Sequence, residues 1–244
     1  MPKIPDKGPA QLPSLSDDET VEELGPYLFI QKKNGHRLTV DTVLLADFLP
    51  GLEKTDSVID LGTGTGALPL ILSEKTPVEQ ITGVEVDGIA ASIARRNVAA
   101  NGLETRITIL ERDFRDLKDG FPEGAFSVVV SNPPYIKAGA GRVSPYRGRD
   151  AARCELLGGL RDLVAASKHL AGEKGRVYFV FPVKRLFEML GELRVAGLKT
   201  GRLRFVHTDE KKEAKLFLIE AGRCADLMLE IEEPVFLPKL PGAG

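Results

Sequence analysis

The stretch from Val58 to Ala67 constrains this chain more than any other. Val58-Ile59-Asp60-Leu61 is an apolar run of strand character, and it passes directly into Gly62-Thr63-Gly64-Thr65-Gly66 before an apolar segment of helical length opens at Ala67. A strand apolar enough for burial on both faces, turning through glycines into a helix, is the first unit of an open parallel sheet. Glycines there permit positive φ and a close approach of ligand to backbone. The turn also stands at the carboxyl end of its strand, where open α/β sheets bind ligands.

The same rhythm continues downstream. Strands are predicted at Ser57–Leu61, Ile81–Val86, Arg106–Glu111, Phe126–Ser131, Arg176–Phe181, Arg204–His207 and Leu216–Glu220. Helices are predicted at Ala67–Glu74, Gly88–Ala100, Glu155–Leu170 and Val183–Ala196. Alternation of this kind implies an α/β fold, a mostly parallel seven-stranded sheet with right-handed crossovers and helices on both faces. Ahead of it, Tyr27–Gln31 reads as a strand followed by a Lys32–Gly35 turn into a second short extended piece, and Asp41-Thr42 as the cap of a helix through Phe48. The apolar and acidic segment from Ala225 to Leu237 reads as one more strand or cover. Residues 1–21 form a proline-rich polar leader that cannot bury a face, and 22–244 one domain. Asn132 to about Arg153 is a long stretch without periodicity, which inside a compact domain marks a functional loop.

Composition excludes several alternatives. With 244 residues, 43% hydrophobic and 28% charged, the chain can bury a core without staples. Two cysteines and three scattered histidines build no disulfide framework and no metal site. No apolar run reaches the roughly 20 residues of a membrane helix, and the N-terminus is no signal peptide; a cytoplasmic protein is expected. The net charge of −2 argues at first against nucleic acid, but it is unevenly spread. Residues 1–24 sum to −4, whereas 137–153 hold Lys137, Arg142, Arg147, Arg149 and Arg153 against Asp150 alone.

The glycine turn alone leaves its ligand open. Gly62, Gly64 and Ala67 fit the dinucleotide pattern with Glu85 at the spacing of a ribose-binding acid; Asp60, Gly62, Gly64 and Gly66 equally fit the acid-led turn of S-adenosylmethionine (SAM) enzymes. Glu85 ends the next strand and can accept from both ribose hydroxyls. Asp113 ends the third and can accept from an adenine amino group, with Phe114 beside it to cover the ring.

The fourth strand runs into Asn132-Pro133-Pro134-Tyr135. Two prolines stiffen the backbone and remove two N–H donors, so the Pro133 carbonyl and the Asn132 side-chain oxygen stand as adjacent acceptors. That pair suits a planar NH₂ group. Gripping both hydrogens favours the pyramidal nitrogen that can attack a methyl group, which is transition-state stabilisation. Tyr135 offers a stacking face. Hydride transfer has no use for such a pair, so the cofactor expected is SAM.

At these residues the chain resembles SAM-dependent amino-methyltransferases of the Asn-Pro-Pro-Tyr class, and within them the bacterial tRNA N6-adenine methyltransferases that modify adenine 37 of a valine tRNA. The likeness spans about residues 22–237 and includes Val40–Ala46 and Ala152-Arg153-Cys154-Glu155. It implies a Rossmann-like class I methyltransferase. It further implies Asp60, Gly62, Gly64 and Gly66 for the methionine part of SAM, Glu85 for ribose, Asp113 and Phe114 for adenine, Asn132, Pro133 and Tyr135 for the target amine, and Asp41 over the cofactor from the other side. Lys137, Arg142, Arg147, Arg149 and Arg153 would then hold tRNA phosphates beside the reacting base. Lys199, Arg202, Arg204, Lys211, Lys212 and Lys215 form a second basic set. No metal and no membrane are expected, and a monomer is the default. A protein glutamine N5-methyltransferase offers the same amide geometry, although little chain precedes Asp60 for its usual helical domain. A non-catalytic SAM- or RNA-binding module is the third reading.

Overall fold

The computed structural model describes residues 14–34, 39–133, 159–224 and 226–237. An antiparallel hairpin comes first, β1 (Glu19–Leu24) with β2 (Tyr27–Lys32), in a register from Glu19 opposite Lys32 to Leu24 opposite Tyr27. The partner of the Tyr27 strand precedes it, and the second extended piece expected after the Lys32–Gly35 turn lies outside the described residues. One expectation changes: residues 19–21 belong to the folded body rather than to the leader. The reason lies far away in sequence. The Glu19 side chain is buried and accepts from Arg96 Nη1 at 2.8 Å and Nη2 at 3.0 Å, so an acid that composition assigns to a solvated tail is neutralised inside the protein.

The chain continues through α1 (Val40–Phe48), β3 (Ser57–Leu61), α2 (Ala67–Lys75), β4 (Gln80–Glu85), α3 (Gly88–Ala100) and β5 (Ile107–Glu111). A 3₁₀ turn (Phe114–Asp119) leads to β6 (Val128–Ser131). Beyond it come α4 (Leu160–Ala171), β7 (Arg176–Pro182), a second 3₁₀ turn (Val183–Arg185), α5 (Leu186–Ala196), β8 (Lys199–His207) and β9 (Ala214–Gly222). Two short strands, β10 (Glu230–Ile231) and β11 (Val235–Phe236), close it.

The main sheet is ordered β10-β8-β9-β7-β6-β3-β4-β5, with β11 also on β8. Strands β3 to β7 pair in parallel, and β9 runs antiparallel to both β7 and β8. The mixed α/β, mostly parallel architecture is the one expected. The strand count is nine rather than seven, because the segment after Ala225 lays two dipeptides along the edge of β8. Such short pairings carry too little periodicity to be read from sequence.

Burial on both faces explains the central strands. Val58 of β3 joins one core with Leu45, Phe48, Leu70 and Ala94, from α1 to α3; Ile59 and Leu61 join the other with Leu163, Val164 and Met189, from α4 and α5. Helix α2 is buried from Ala67 through Ser73, which is why its sequence is apolar all round. A side chain on Gly66 would stand 3.2 Å from the Ala94 Cβ, so this glycine lets α3 close on the turn. Asp87 caps α3 by accepting from the Ile89 N–H at 3.0 Å.

Two boundaries move. Helix α1 starts at Val40 with Thr39 in the capping position, so Asp41 lies within the first turn rather than capping it. The predicted helix Val183–Ala196 divides into the 3₁₀ turn and α5. Helix α4 is described from Leu160, and residues 155–158 lie outside the described residues. Among the described residues no helix is long and apolar enough to cross a membrane.

Candidate active site

Four adjacent strands, β5-β4-β3-β6, end on one rim of the sheet, and the expected site residues stand along it. Asp60 pairs with Gly83 on one side and Val130 on the other, and Glu85 pairs with Glu111. Two residues beyond the Asp60–Val130 pair come Gly62 and Asn132; two beyond Glu111 comes Asp113. The parallel register therefore brings together Asp60, Gly62, Gly64, Gly66, Glu85, Asp113, Asn132 and Pro133.

The glycine turn is built by backbone hydrogen bonds. Gly62 and Thr63 both donate to the Val84 carbonyl at 2.9 Å, folding the turn over β4. Gly62, Gly64 and Gly66 have φ of 78°, 58° and 85°, a region that side-chain-bearing residues avoid. Among the described residues nothing lies within 4 Å of where side chains on Gly62 and Gly64 would project, so on the described part of the fold the turn is uncovered. Glu85 braces the turn: its Oε2 accepts from the Gly64 N–H at 2.8 Å and its Oε1 from the Asp87 N–H at 2.9 Å. Each carboxylate oxygen has a further lone pair for an incoming hydroxyl.

Asp60 lies under this turn, 2% exposed. Burial pushes its carboxyl up to about 7; the Thr63 hydroxyl pulls against this, and the negative charge of Glu85 adds to it. Among the described residues no cation contributes to its environment. A cationic ligand on the turn would supply the missing charge, and the open glycine backbone leaves room for it. The residues fit a sulfonium cofactor bearing an ammonium group.

Asp113 is differently held. Arg115 wraps it, with Nε at 3.0 and 2.9 Å from the two carboxylate oxygens and its backbone N–H at 2.9 Å. Burial opposes the Asp113 charge, but Arg115 outweighs it and keeps the carboxyl below its ordinary range. Phe114 lines an open cavity of about 230 Å³ with Leu117, Ala165, Ala166 and Leu170, between the 3₁₀ turn and α4.

At the end of β6 the Asn132 amide nitrogen donates to Thr42 Oγ1 at 2.9 Å. Thr42 is 8% exposed on α1, one residue after the half-buried Asp41. With its nitrogen committed there, the amide plane is fixed and the oxygen must occupy the opposite side. Beneath it the Ser131 hydroxyl donates to the Leu61 carbonyl at 2.6 Å, locking β6 to β3 where the two strands end.

Some of the supports escaped the sequence reading. Thr42 figures in it only as part of a helix cap and not as a partner of Asn132, and Asn97, which is fully buried on α3, has no role in it. Asn97 Oδ1 accepts from the Ile30 N–H at 2.6 Å, while its Nδ2 donates to the Ile30 and Thr65 carbonyls, both at 2.9 Å. Asn101 repeats the device one turn later on Leu28. The available signal was two amides four residues apart on an otherwise apolar helix face. Tyr135, Lys137, Arg142, Arg147, Arg149 and Arg153 lie outside the described residues. The second basic set divides: Arg202 is tied to Glu220 at 2.5 Å and to Glu232 at 3.0 Å, and Arg204 also to Glu232. These two are internal struts and form no basic surface. Among the described residues no group of three or more metal-ligating side chains assembles.

The chain is similar to known proteins. Residues 35–146 match the methyltransferase small domain family. A tRNA1(Val) (adenine(37)-N6)-methyltransferase of Porphyromonas gingivalis is 34% identical over 200 residues, covering 80% of this chain and 77% of its own. A ribosomal protein uL3 glutamine methyltransferase of Bordetella pertussis is 29% identical and is matched over only 58% of its length. In three dimensions, a predicted O-methyltransferase from Agrobacterium tumefaciens superposes with a TM-score of 0.63 at 20% identity, over 80% of this chain and 86% of that one. By its sequence and the fold that carries it, the chain belongs to the tRNA1(Val) (adenine(37)-N6)-methyltransferase family.

Proposed function

We propose that the protein transfers the methyl group of SAM to the exocyclic N6 amine of an adenine in tRNA, adenine 37 of a valine tRNA. The observation that carries this reading is the fixed Asn132 amide at the end of β6, beside the open glycine turn over Asp60. SAM supplies an electrophilic methyl on a sulfonium. The Gly62–Gly66 backbone lets the methionine portion lie against the turn, Asp60 answers its positive charge, and Glu85 accepts from the ribose. Asp113, already oriented by Arg115, accepts from the cofactor's adenine with Phe114 at its edge. Asp41 covers the cofactor from α1.

The target base must leave its stack to reach the rim. Its NH₂ donates one hydrogen to Asn132 Oδ1 and the other to the Pro133 carbonyl, with the ring against Tyr135. Held this way, the nitrogen lone pair is turned out of conjugation and toward the methyl. As the N–C bond forms, the S–C bond breaks, its electron pair stays on sulfur, and the amine proton leaves to water. No general base is needed, so the chain's work is alignment. Lys137, Arg142, Arg147, Arg149 and Arg153 follow directly in sequence and are assigned to the phosphates around the flipped base. The protein acts as a monomer in the cytoplasm, on tRNA.

The test is to incubate the full chain and SAM with unmodified valine tRNA and to map nucleosides by mass spectrometry. One N6-methyladenosine at position 37 is expected. Absence of that nucleoside, together with methylated glutamine in a protein substrate, would replace this reading with the glutamine one.

A further inference from the structure

Phe187 is 91% exposed, the most exposed large apolar side chain among the described residues. It stands in the first turn of α5, which follows β7 through the Val183–Arg185 turn, and β7 neighbours β6 with Phe179 opposite Ser131. The ring is thus on the rim that carries Asn132. Side chains four apart on a helix cover one another, and the residue four beyond Phe187 is Gly191, with nothing within 4 Å of where a Cβ would project. A glycine in a helix interior weakens it relative to alanine, and no neighbour here needs the space. What it provides is an uncovered shelf beside the ring.

Two exposed lysines stand at the same end of β7 as this shelf. Lys184 is exposed in the preceding turn. Lys215, also exposed, is the second residue of β9, on the same strand face as Phe217, whose ring stacks at 6.4 Å on Phe181, and Arg185 lies over Phe181 at 5.2 Å. Arg185 is committed to Glu188 at 2.7 Å, whereas no carboxylate of the described residues pairs with Lys184 or Lys215.

We infer that this shelf binds the RNA substrate outside the reacting base: an unpaired base stacks on Phe187 and across Gly191, and Lys184 and Lys215 meet its phosphates. The inference rests on the tRNA reading above and adds a second contact region to it. A single ring between lysines is the chemistry of base stacking on an electropositive surface. A protein partner fits less well. The next exposed apolar residue on α5, Val195, is two turns further on, so no contiguous apolar patch forms, and lysine is depleted at protein interfaces.

The experiment measures binding of unmodified valine tRNA to the full chain by fluorescence anisotropy at several salt concentrations, with SAM affinity and thermal melting followed in parallel. Gly191→Leu should melt no lower than the wild type yet bind tRNA about tenfold more weakly, since it improves the helix while filling the shelf. Phe187→Ala should show a similar loss. The double variant Lys184→Ala/Lys215→Ala should flatten the slope of log affinity against log salt by about 1.4–1.8, the release expected for two phosphate contacts. SAM affinity should stay within about twofold in all three. Unchanged tRNA affinity in Gly191→Leu and Phe187→Ala would overturn the inference, and an unchanged salt slope in the lysine variant would overturn the assignment of Lys184 and Lys215 to phosphates. If the wild type methylates tRNA and Gly191→Leu does so with the same KM, only this inference falls. If the wild type neither binds nor methylates tRNA, the functional reading falls with it.

Discussion

Asn132 and Thr42 come from opposite ends of the fold's first half and meet across 2.9 Å, the amide nitrogen of one donating to the hydroxyl of the other. A rotatable amide thereby becomes a fixed acceptor, because the bond to α1 decides which end faces the rim. Thr42→Val keeps the shape and removes the acceptor. Turnover should fall roughly 3–10-fold, the worth of one such hydrogen bond expressed in the transition state, with SAM affinity nearly unchanged. Thr42→Ser should restore most of the rate. Steady-state kinetics with SAM titration check both.

Asp60 gives a pH signature. Its carboxyl sits at about 7 in the ligand-free fold against 3.8 when unperturbed, so the folded state binds the extra proton between those values. Stability from this group is therefore full below about pH 4 and is lost as pH rises through about 7. Asp60→Asn should abolish that decline. SAM, being cationic, should favour the ionised form, so its binding near pH 6 should release a proton. Calorimetry in buffers of different ionisation enthalpy should detect it, and a buffer-independent enthalpy would contradict the assignment.

Glu19 behaves in the opposite sense. Its hydrogen bonds with Arg96 hold the carboxyl at about 2 against 4.5, so its contribution is present above about pH 4.5 and is lost as pH falls through about 2. Glu19→Gln should cost about 1–3 kcal/mol at neutral pH, because a buried partner to Arg96 is lost. The loss should shrink on acidification. Urea melts at pH 7 and pH 3 compare the two conditions.

Asn97 joins the hairpin to the glycine turn through Ile30 and Thr65. Asn97→Ala would leave buried backbone groups unpartnered and should destabilise the protein by about 2–4 kcal/mol. SAM affinity should drop with it, since the turn loses a support; hydrogen exchange at Ile30 and a SAM titration would show both effects.

What could be read from sequence follows the range of the forces involved. Ser57–Leu61 and Gly88–Ala100 are placed to the residue because a doubly buried strand and an Asp-capped helix are announced by their own side chains. The rim followed too, since Asp60, Glu85, Asp113 and Asn132 each lie within two residues of a strand end and parallel pairing aligns strand ends. The failures share one cause, partners distant along the chain. Glu19 looks solvated until Arg96 is beside it, Arg202 and Arg204 look like a basic surface until Glu220 and Glu232 take them up, and β10 and β11 exist only because β8 offers an edge. Thr42 acts through one side-chain hydrogen bond to Asn132 and Asn97 through three to Ile30 and Thr65, partners far away along the chain.

The most direct test of the whole account is Asn132→Ala, assayed in a single turnover on unmodified valine tRNA with SAM affinity measured on the same preparation. Removing one of two acceptors aimed at the amine should slow methyl transfer by about 10²–10³-fold, the usual loss for a positioned transition-state group, while SAM binds within a few-fold of the wild type. Methyl transfer at the wild-type rate, or a rate loss matched by an equal loss of SAM binding, would show that Asn132 does not grip the target nitrogen.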